Sequence, residues 1–248
     1  MLSTEKPHVM VFSAHAADFC SRSGGTIANY VKDGSKVRVI DLTYGERGES
    51  GSLYRDKKGI TVEEVKRIRE KEARSAAAIL GAEIRFEDFD DNPVIMNKSR
   101  FERLVEEIRN FRPDIVLTHW VKDPQNPDHA RTAHTVIKAC HYAAIPGIKP
   151  EVQTHAYPRI YLFEPSVPTN DLSQFRPDTY VDITGVFELK LKAMKELRTQ
   201  GELPQWYTLY GEMRGLQARN IGLYRQRQEM KYAEAFKAYL PWVGALFP

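Results

Sequence analysis

Two short stretches carry the residues that could do chemistry. "VFSAHAADFC", Val11 to Cys20, ends a strand-like run with His15 and, three residues on, Asp18. "KDPQNPDH" closes on Asp128 and His129, after another apolar run that ends in His119. Two imidazoles and one carboxylate offer two nitrogen donors and one oxygen donor, a set that suits a zinc ion keeping a position open for water or substrate. On this reading His15, Asp18 and His129 are the metal ligands. Iron or manganese would accept the same donors. The His-x-x-Asp spacing alone is a weak signal. Its weight comes from its position after a strand and from a Pro-Asp-His at the mouth of a helix.

Elements must carry these residues to one place. Short β-branched runs alternate with longer segments of helical period, the pattern of βαβ units. The strands expected are His8 to Ala14, Lys36 to Thr43, Glu83 to Phe89, Asp114 to His119, Arg159 to Phe163 and Tyr180 to Ile183. Helices are expected over Gly24 to Val31, Thr61 to Leu80, Lys98 to Asn110 and Asp128 to His141. Thr61 and Glu64 have capping-box spacing, and Gly81 supplies a stop. Beyond Gly185, "VFELKLKAMKELRTQ" reads as an amphipathic helix and Tyr210 to Tyr239 as one or two more. The fold class expected is α/β, a Rossmann-like and mostly parallel sheet with helices on both faces and additional C-terminal helices. Residues 1–248 are read as a single metal-dependent domain with a helical extension from about 186.

Ligands of such a sheet collect at the carboxyl ends of its strands, where βα loops converge. The first strand delivers His15 and Asp18 there. The second delivers "YGERGES" with Glu46, Arg47 and Glu49, and the fourth delivers His119, Asp123, Asn126, Asp128 and His129. Neither GxGxxG nor a phosphate loop is present, so Gly24 and Gly25 are read as sites of close helix approach. A balance of 36 Lys and Arg against 33 Asp and Glu, net +3, with no long basic run, argues against nucleic acid as a partner. No apolar run reaches the length of a membrane span, and "MLSTEKPHVM" lacks a signal sequence. With only Cys20 and Cys140 and no CxxC, a cytoplasmic protein is expected.

These residues resemble the LmbE-like superfamily of zinc-dependent de-N-acetylases, which includes the N-acetylglucosaminyl-phosphatidylinositol deacetylases. The resemblance covers roughly residues 8 to 185 and rests on "AHAADFCSRSGGTIA", "LTYGERGES", "REKEARSAAAILG" and "DIVLTHWVKDPQNPDH". It implies the same zinc ligands, His15, Asp18 and His129. It also exposes two departures. The family's general base, the first Asp of its Ala-His-Pro-Asp-Asp motif, falls on Ala17, and the first His of its His-Pro-Asp-His falls on Asn126. An alanine cannot take a proton, and a lost general base costs on the order of 100- to 10,000-fold in rate.

"SAHAADF" and "GERGES" are similar to the 4-oxalomesaconate hydratase branch of that superfamily. The reaction implied is reversible addition of water to the double bond of an unsaturated tricarboxylate, giving 4-carboxy-4-hydroxy-2-oxoadipate in gallate and protocatechuate breakdown. For proton transfer the candidates are Glu46, with Glu49 as the near alternative, and His155 as a complementary acid or base. Arg47, Arg22, Arg55 and Lys122 are candidates for the carboxylates, and Asn126, Ser50 and Tyr54 for neutral hydrogen bonds. Two other readings stand beside the hydratase: a zinc de-N-acetylase of an amino sugar with a relocated base, and a binding protein without catalysis. The partners expected are a small polycarboxylate and, from Trp206, Tyr207, Trp242 and Phe247 in the C-terminal region, further copies of the chain.

Overall fold

Buried strands and amphipathic helices alternate along the chain as the period changes in the sequence require. The computed structural model describes residues 6–168, 171–221, 229–241 and 243. In chain order these form β1 (Val9–Ser13), α1 (Asp18–Lys32), β2 (Val37–Asp41), α2 (Gly51–Asp56), α3 (Val62–Leu80), β3 (Glu83–Phe86), α4 (Lys98–Phe111), β4 (Ile115–His119), α5 (Pro127–Ala143), β5 (Arg159–Phe163), β6 (Thr179–Asp182), α6 (Phe187–Met194), α7 (Leu203–Ile221) and β7 (Ala233–Ala238). One sheet takes them in the order β3-β2-β1-β4-β5-β7-β6. β1 to β5 are mutually parallel, and β7 runs antiparallel between β5 and β6.

Alternation along each strand feeds two cores. Val9 and Val11 pack with Phe19 and Ile27 of α1, Ala73 and Leu80 of α3, and Phe187 of α6. Met10 and Phe12 face the other way, onto Leu104 and Ile108 of α4 and Val136 and Cys140 of α5. Strands covered on both faces read as continuous apolar runs, as "VMVF" does. The helix α3 begins with the expected capping box of Thr61 and Glu64 and ends on Gly81 at φ 78°. The chain leaves β1 toward β2 and β3 on one side and returns to β4 and β5 on the other, so the strand order reverses between β1 and β4. That crevice is where a ligand site is expected in such a sheet.

Several boundaries move. α1 starts at Asp18 rather than Gly24, and a short α2 follows the second strand. The helix expected over Val186 to Gln200 ends at Met194 and resumes as a tight turn, Arg198–Gln200. The main correction lies in Tyr210 to Tyr239. α7 stops at Ile221, residues 222–228 lie outside the described residues, and Ala233–Ala238 is a strand. Its Ala, Glu and Lys favour a helix locally. Pairing with β5 and β6 overrides that preference, since Ala233, Glu234, Ala235 and Phe236 are all buried. Glu234 then accepts the amides of Gly25 at 2.8 Å and Thr26 at 2.7 Å and pairs with buried Lys190 at 2.7 Å. Gly25 also lets Ile183 pack directly on α1, because a Cβ there would lie 2.5 Å from Ile183. Trp206 is exposed, Tyr207 packs on the α1 core, and Trp242 and Phe247 lie outside the described residues. Among the described residues no helix is long and apolar enough to cross a membrane.

Candidate metal centre

β1 and β4 end side by side beside β2, and the segments that follow these three strands bring four side chains together. His15, Asp18, Glu49 and His129 each offer one ligand atom, all within 4.8 Å of one another. Asp18 is held by the first turn of α1, where its Oδ2 accepts the His15 amide at 2.9 Å and its Oδ1 accepts Arg22 Nε at 3.2 Å. His129 sits in the first turn of α5, which Asn126 caps by accepting the Asp128 amide at 3.2 Å. Glu49 comes from the loop after β2.

The donor set fits a metal ion. His15 Nδ1 and His129 Nε2 are buried and have no hydrogen-bond partner, which leaves both lone pairs free to face the same point. Asp18 lies 3.4 Å from each of these nitrogens, and Glu49 Oε1 lies 3.1 Å from His15 Nδ1 and 3.9 Å from His129 Nε2. Ligands about 2.1 Å from a tetrahedral ion stand about 3.4 Å apart. The far nitrogens are backed by carboxylates: His129 Nδ1 is 2.9 Å from Asp123 Oδ2, and His15 Nε2 is 3.7 Å from Asp128 Oδ2. A hydrogen-bonded partner such as Asp123 fixes the tautomer and raises ligand basicity, whereas Asp128, beyond hydrogen-bond reach, acts through its charge.

The electrostatics ask for a cation. Burial alone would lower the His15 pKa, yet the carboxylates of Glu49, Asp128 and Asp18 hold it well above the usual range. Burial would raise Glu49, but His15 beside it keeps the carboxyl below its ordinary value, so it is ionised. Asp128 is depressed to about 2, its burial outweighed by His15 and by the amides of Val94 and Asn92. His119 behaves differently. Its Nε2 accepts the Ala14 amide at 2.9 Å, its ring stacks on His129 at 4.1 Å, and burial beside His129 drives its pKa down to about 3. It is a neutral wall of the site.

The expected residues divide. His15, Asp18 and His129 meet as anticipated, and Glu49 joins them. Glu46, the first candidate for proton transfer, does not. It is fully buried, and its carboxylate accepts the amides of Tyr44 at 3.2 Å and Asp91 at 3.3 Å, while the Asp91 carboxylate accepts those of Arg47 and Gly48. This reciprocal tie joins the loops after β2 and β3, so Glu46 shapes the site from outside it. His155 is a second correction. It precedes β5 and therefore lies at the amino end of the sheet, where Nε2 is 2.8 Å from the Pro113 carbonyl oxygen and the ring lines a cavity of about 780 Å³ with Asp114 and Arg159.

Of the proposed substrate contacts, Arg22 is buried and spends its donors on Asp18, the Glu164 carbonyl and Ser166. Ser50 is buried and donates to the Gly45 carbonyl at 2.8 Å. Asn126 is the α5 cap, Lys122 reaches Gln174 at 3.0 Å, and Arg47 is partly exposed and paired with Asp90 in the loop after β3. Asp123 and Asp128 were visible beside His129 in the sequence, but their backing of the two imidazoles was not. The signal was the density of carboxylates around one Pro-Asp-His.

Comparison with known proteins identifies the family. Residues 10–140 match the family model of the GlcNAc-PI de-N-acetylases. The 4-oxalmesaconate hydratase of Pseudomonas putida is 39% identical over 243 residues, covering 98% of this chain and 93% of the relative. The crystal structure of the 4-carboxy-2-hydroxymuconate hydratase of the same organism superposes with a TM-score of 0.92 at 38% identity, covering 98% of this chain and all of the other. A diacetylchitobiose deacetylase of Thermococcus kodakarensis is 25% identical over 92% of this chain and 82% of its own length. With the family model spanning more than half of its length and a relative similar from end to end, this chain belongs to the GlcNAc-PI de-N-acetylase family.

Proposed function

We propose that this protein is a metal-dependent hydro-lyase that adds water to the conjugated double bond of 4-oxalomesaconate, rather than a de-N-acetylase. The observation that carries this reading is Ala17 beside an otherwise complete centre. Where related deacetylases place a general base, this chain has a methyl group that is 2% exposed and packed in the core, while His15, Asp18 and His129 are kept and Glu49 stands beside them. The end-to-end similarity to a hydratase supports the same choice.

A divalent ion, zinc in the first instance, held by His15, Asp18 and His129, would supply positive charge for the 2-oxo oxygen as negative charge develops there. The chain's own residues then account for the protons. Glu49 is ionised, and its side chain, 17% exposed, is more open to solvent than those of its three neighbours in the cluster. With the substrate in the tautomer whose double bond is conjugated to the 2-oxo group, Glu49 takes a proton from water as the water oxygen bonds to the carbon β to the oxo group, and it returns that proton to the α carbon. The hydroxyl and the proton end on the two former double-bond carbons, and Glu49 is regenerated. Asp123 keeps the His129 imidazole oriented, the Asp128 carboxylate faces His15 at 3.7 Å, and Arg22 holds Asp18. Arg47, partly exposed, is left for a substrate carboxylate, a use that requires exchange of its Asp90 partner.

The test is an ultraviolet assay. Metal-loaded protein should remove the conjugated chromophore of 4-oxalomesaconate and release no acetate from N-acetylglucosamine. Acetate release without chromophore loss would assign the protein to amide hydrolysis instead.

A further inference from the structure

Arg69 opens the "REKEARSAAAILG" stretch on α3 and is 0% exposed, an expensive place for a guanidinium unless its charge and donors are used. Its Nε donates to the Tyr44 carbonyl at 3.0 Å and its Nη2 to Gln200 Oε1 at 2.7 Å, while Nη1 stands 3.5 Å from Glu72. Glu72 in turn accepts the amide and hydroxyl of Thr199, both at 2.9 Å, and Ser52 donates to the Thr199 carbonyl at 2.7 Å. The turn Arg198–Gln200 is thereby fastened to α2 and α3, and the guanidinium is fixed from three directions.

The remaining direction points at the metal centre. Glu49 Oε1 faces His15, whereas Glu49 Oε2 is buried, makes no hydrogen bond, and lies 3.6 Å from Arg69 Nη2. Gly45 makes the approach possible: at φ +66°, a Cβ there would come within 3.2 Å of His15 Cβ, 3.3 Å of Glu49 Cβ and 3.4 Å of Arg69 Nη2. Nothing larger fits between them.

We propose that Arg69 is the positioning residue for Glu49, anchoring one carboxylate oxygen so that the other stays aimed at the metal centre; this rests on Glu49 being the acid–base group. A glutamate has three side-chain torsions, and a loop glutamate without an anchor would spread over several rotamers. Displacement of a catalytic group by about 1 Å can cost on the order of 100-fold in rate. A lysine cannot replace the planar fork, which meets Tyr44, Gln200 and Glu49 from fixed angles. Arg69 is closed off from solvent and engaged on every side, so it is no direct receptor for a substrate carboxylate.

The experiment measures kcat and KM for hydration of 4-oxalomesaconate with metal-loaded wild type, Arg69→Lys, Gln200→Ala, Glu49→Gln and the Glu49→Gln/Gln200→Ala pair, with bound metal quantified for each. Gln200→Ala removes only the anchor of Nη2 and serves if Arg69→Lys does not fold. The expected result is a fall in kcat of about 10- to 100-fold for Arg69→Lys and several-fold for Gln200→Ala, with KM within about twofold and metal content unchanged. In the Glu49→Gln background Gln200→Ala should cost nothing further. A raised KM at constant kcat would make Arg69 a substrate contact and overturn the proposal, as would an equal loss in the Glu49→Gln background. Wild-type kcat in Glu49→Gln would instead overturn the role of Glu49. An inactive Glu49→Gln beside unimpaired Arg69→Lys and Gln200→Ala would overturn the positioning role alone.

Discussion

Replacing Asp123 by Asn should weaken metal binding more than replacing Asp128 by Asn, and the geometry says by roughly how much. Asp123 Oδ2 accepts from His129 Nδ1 at 2.9 Å and from the amide and hydroxyl of Ser166 at 2.7 and 2.9 Å, while Oδ1 accepts the Gln125 amide at 3.2 Å. Burial pushes its carboxyl upward, but the bond to His129 outweighs this and holds it well below the usual range, so the pair is charge-assisted. An asparagine keeps the shape and one acceptor but loses the charge, and its NH2 must meet a backbone donor. Partners of this kind are worth about 10- to 100-fold in metal affinity, about 1.4 to 2.7 kcal/mol. Asp128 stands 3.7 Å from His15, beyond hydrogen-bond reach, and accepts from Asn92 and Val94, both at 2.9 Å; its replacement should cost less than about tenfold in affinity while loosening the loop after β3. The assay is competition for zinc against a chelating dye, at fixed pH and independent of turnover. Unchanged affinity in Asp123→Asn, or a larger loss in Asp128→Asn, would refute the reasoning.

Two further predictions concern stability. Gly25→Ala places a methyl group against Ile183, with close contacts of 2.5, 2.7 and 2.9 Å, and should destabilise by about 1 to 3 kcal/mol in urea unfolding; a neutral outcome would mean that β6 and α1 can move apart. His119 titrates at about 3 in the folded protein against about 6.5 unfolded, so below pH 6.5 the unfolded chain takes up a proton that the native one refuses. Stability is therefore lost as pH falls, on the order of 1.4 kcal/mol per unit between pH 6 and 4. Metal-free wild type should lose that much relative to His119→Gln over this window, and parallel curves would contradict a neutral His119.

The sequence made the candidate centre legible because β1 and β4 are each followed by a motif, with His15 and Asp18 two and five residues after Ser13 and His129 in the first turn of α5, ten residues after His119. His15, Asp18 and His129 needed no long-range information beyond the strand order of a parallel sheet. Glu46 and Glu49 were harder to separate. Three residues apart on one loop, they differ only in which way Gly45 and the Asp91 tie turn them, and that depends on the loop after β3. His155 was misplaced for a simpler reason: a residue just before a parallel strand belongs to the amino edge of the sheet. β7 carries the helical preference of its Ala, Glu and Lys in the sequence, and only the antiparallel neighbours and the buried Lys190–Glu234 pair make it a strand. Arg69 was visible only as part of a helix motif, since its partners Tyr44, Glu49 and Gln200 lie 20 to 131 residues away.

The most direct measurement follows the conjugated absorbance of 4-oxalomesaconate with metal-loaded wild type and Glu49→Gln at equal metal content. The account predicts rapid loss of the chromophore with the wild type and a rate at least about 100-fold lower in the variant. Equal rates would take proton transfer away from Glu49, and a wild type that leaves the chromophore intact would contradict the hydratase itself.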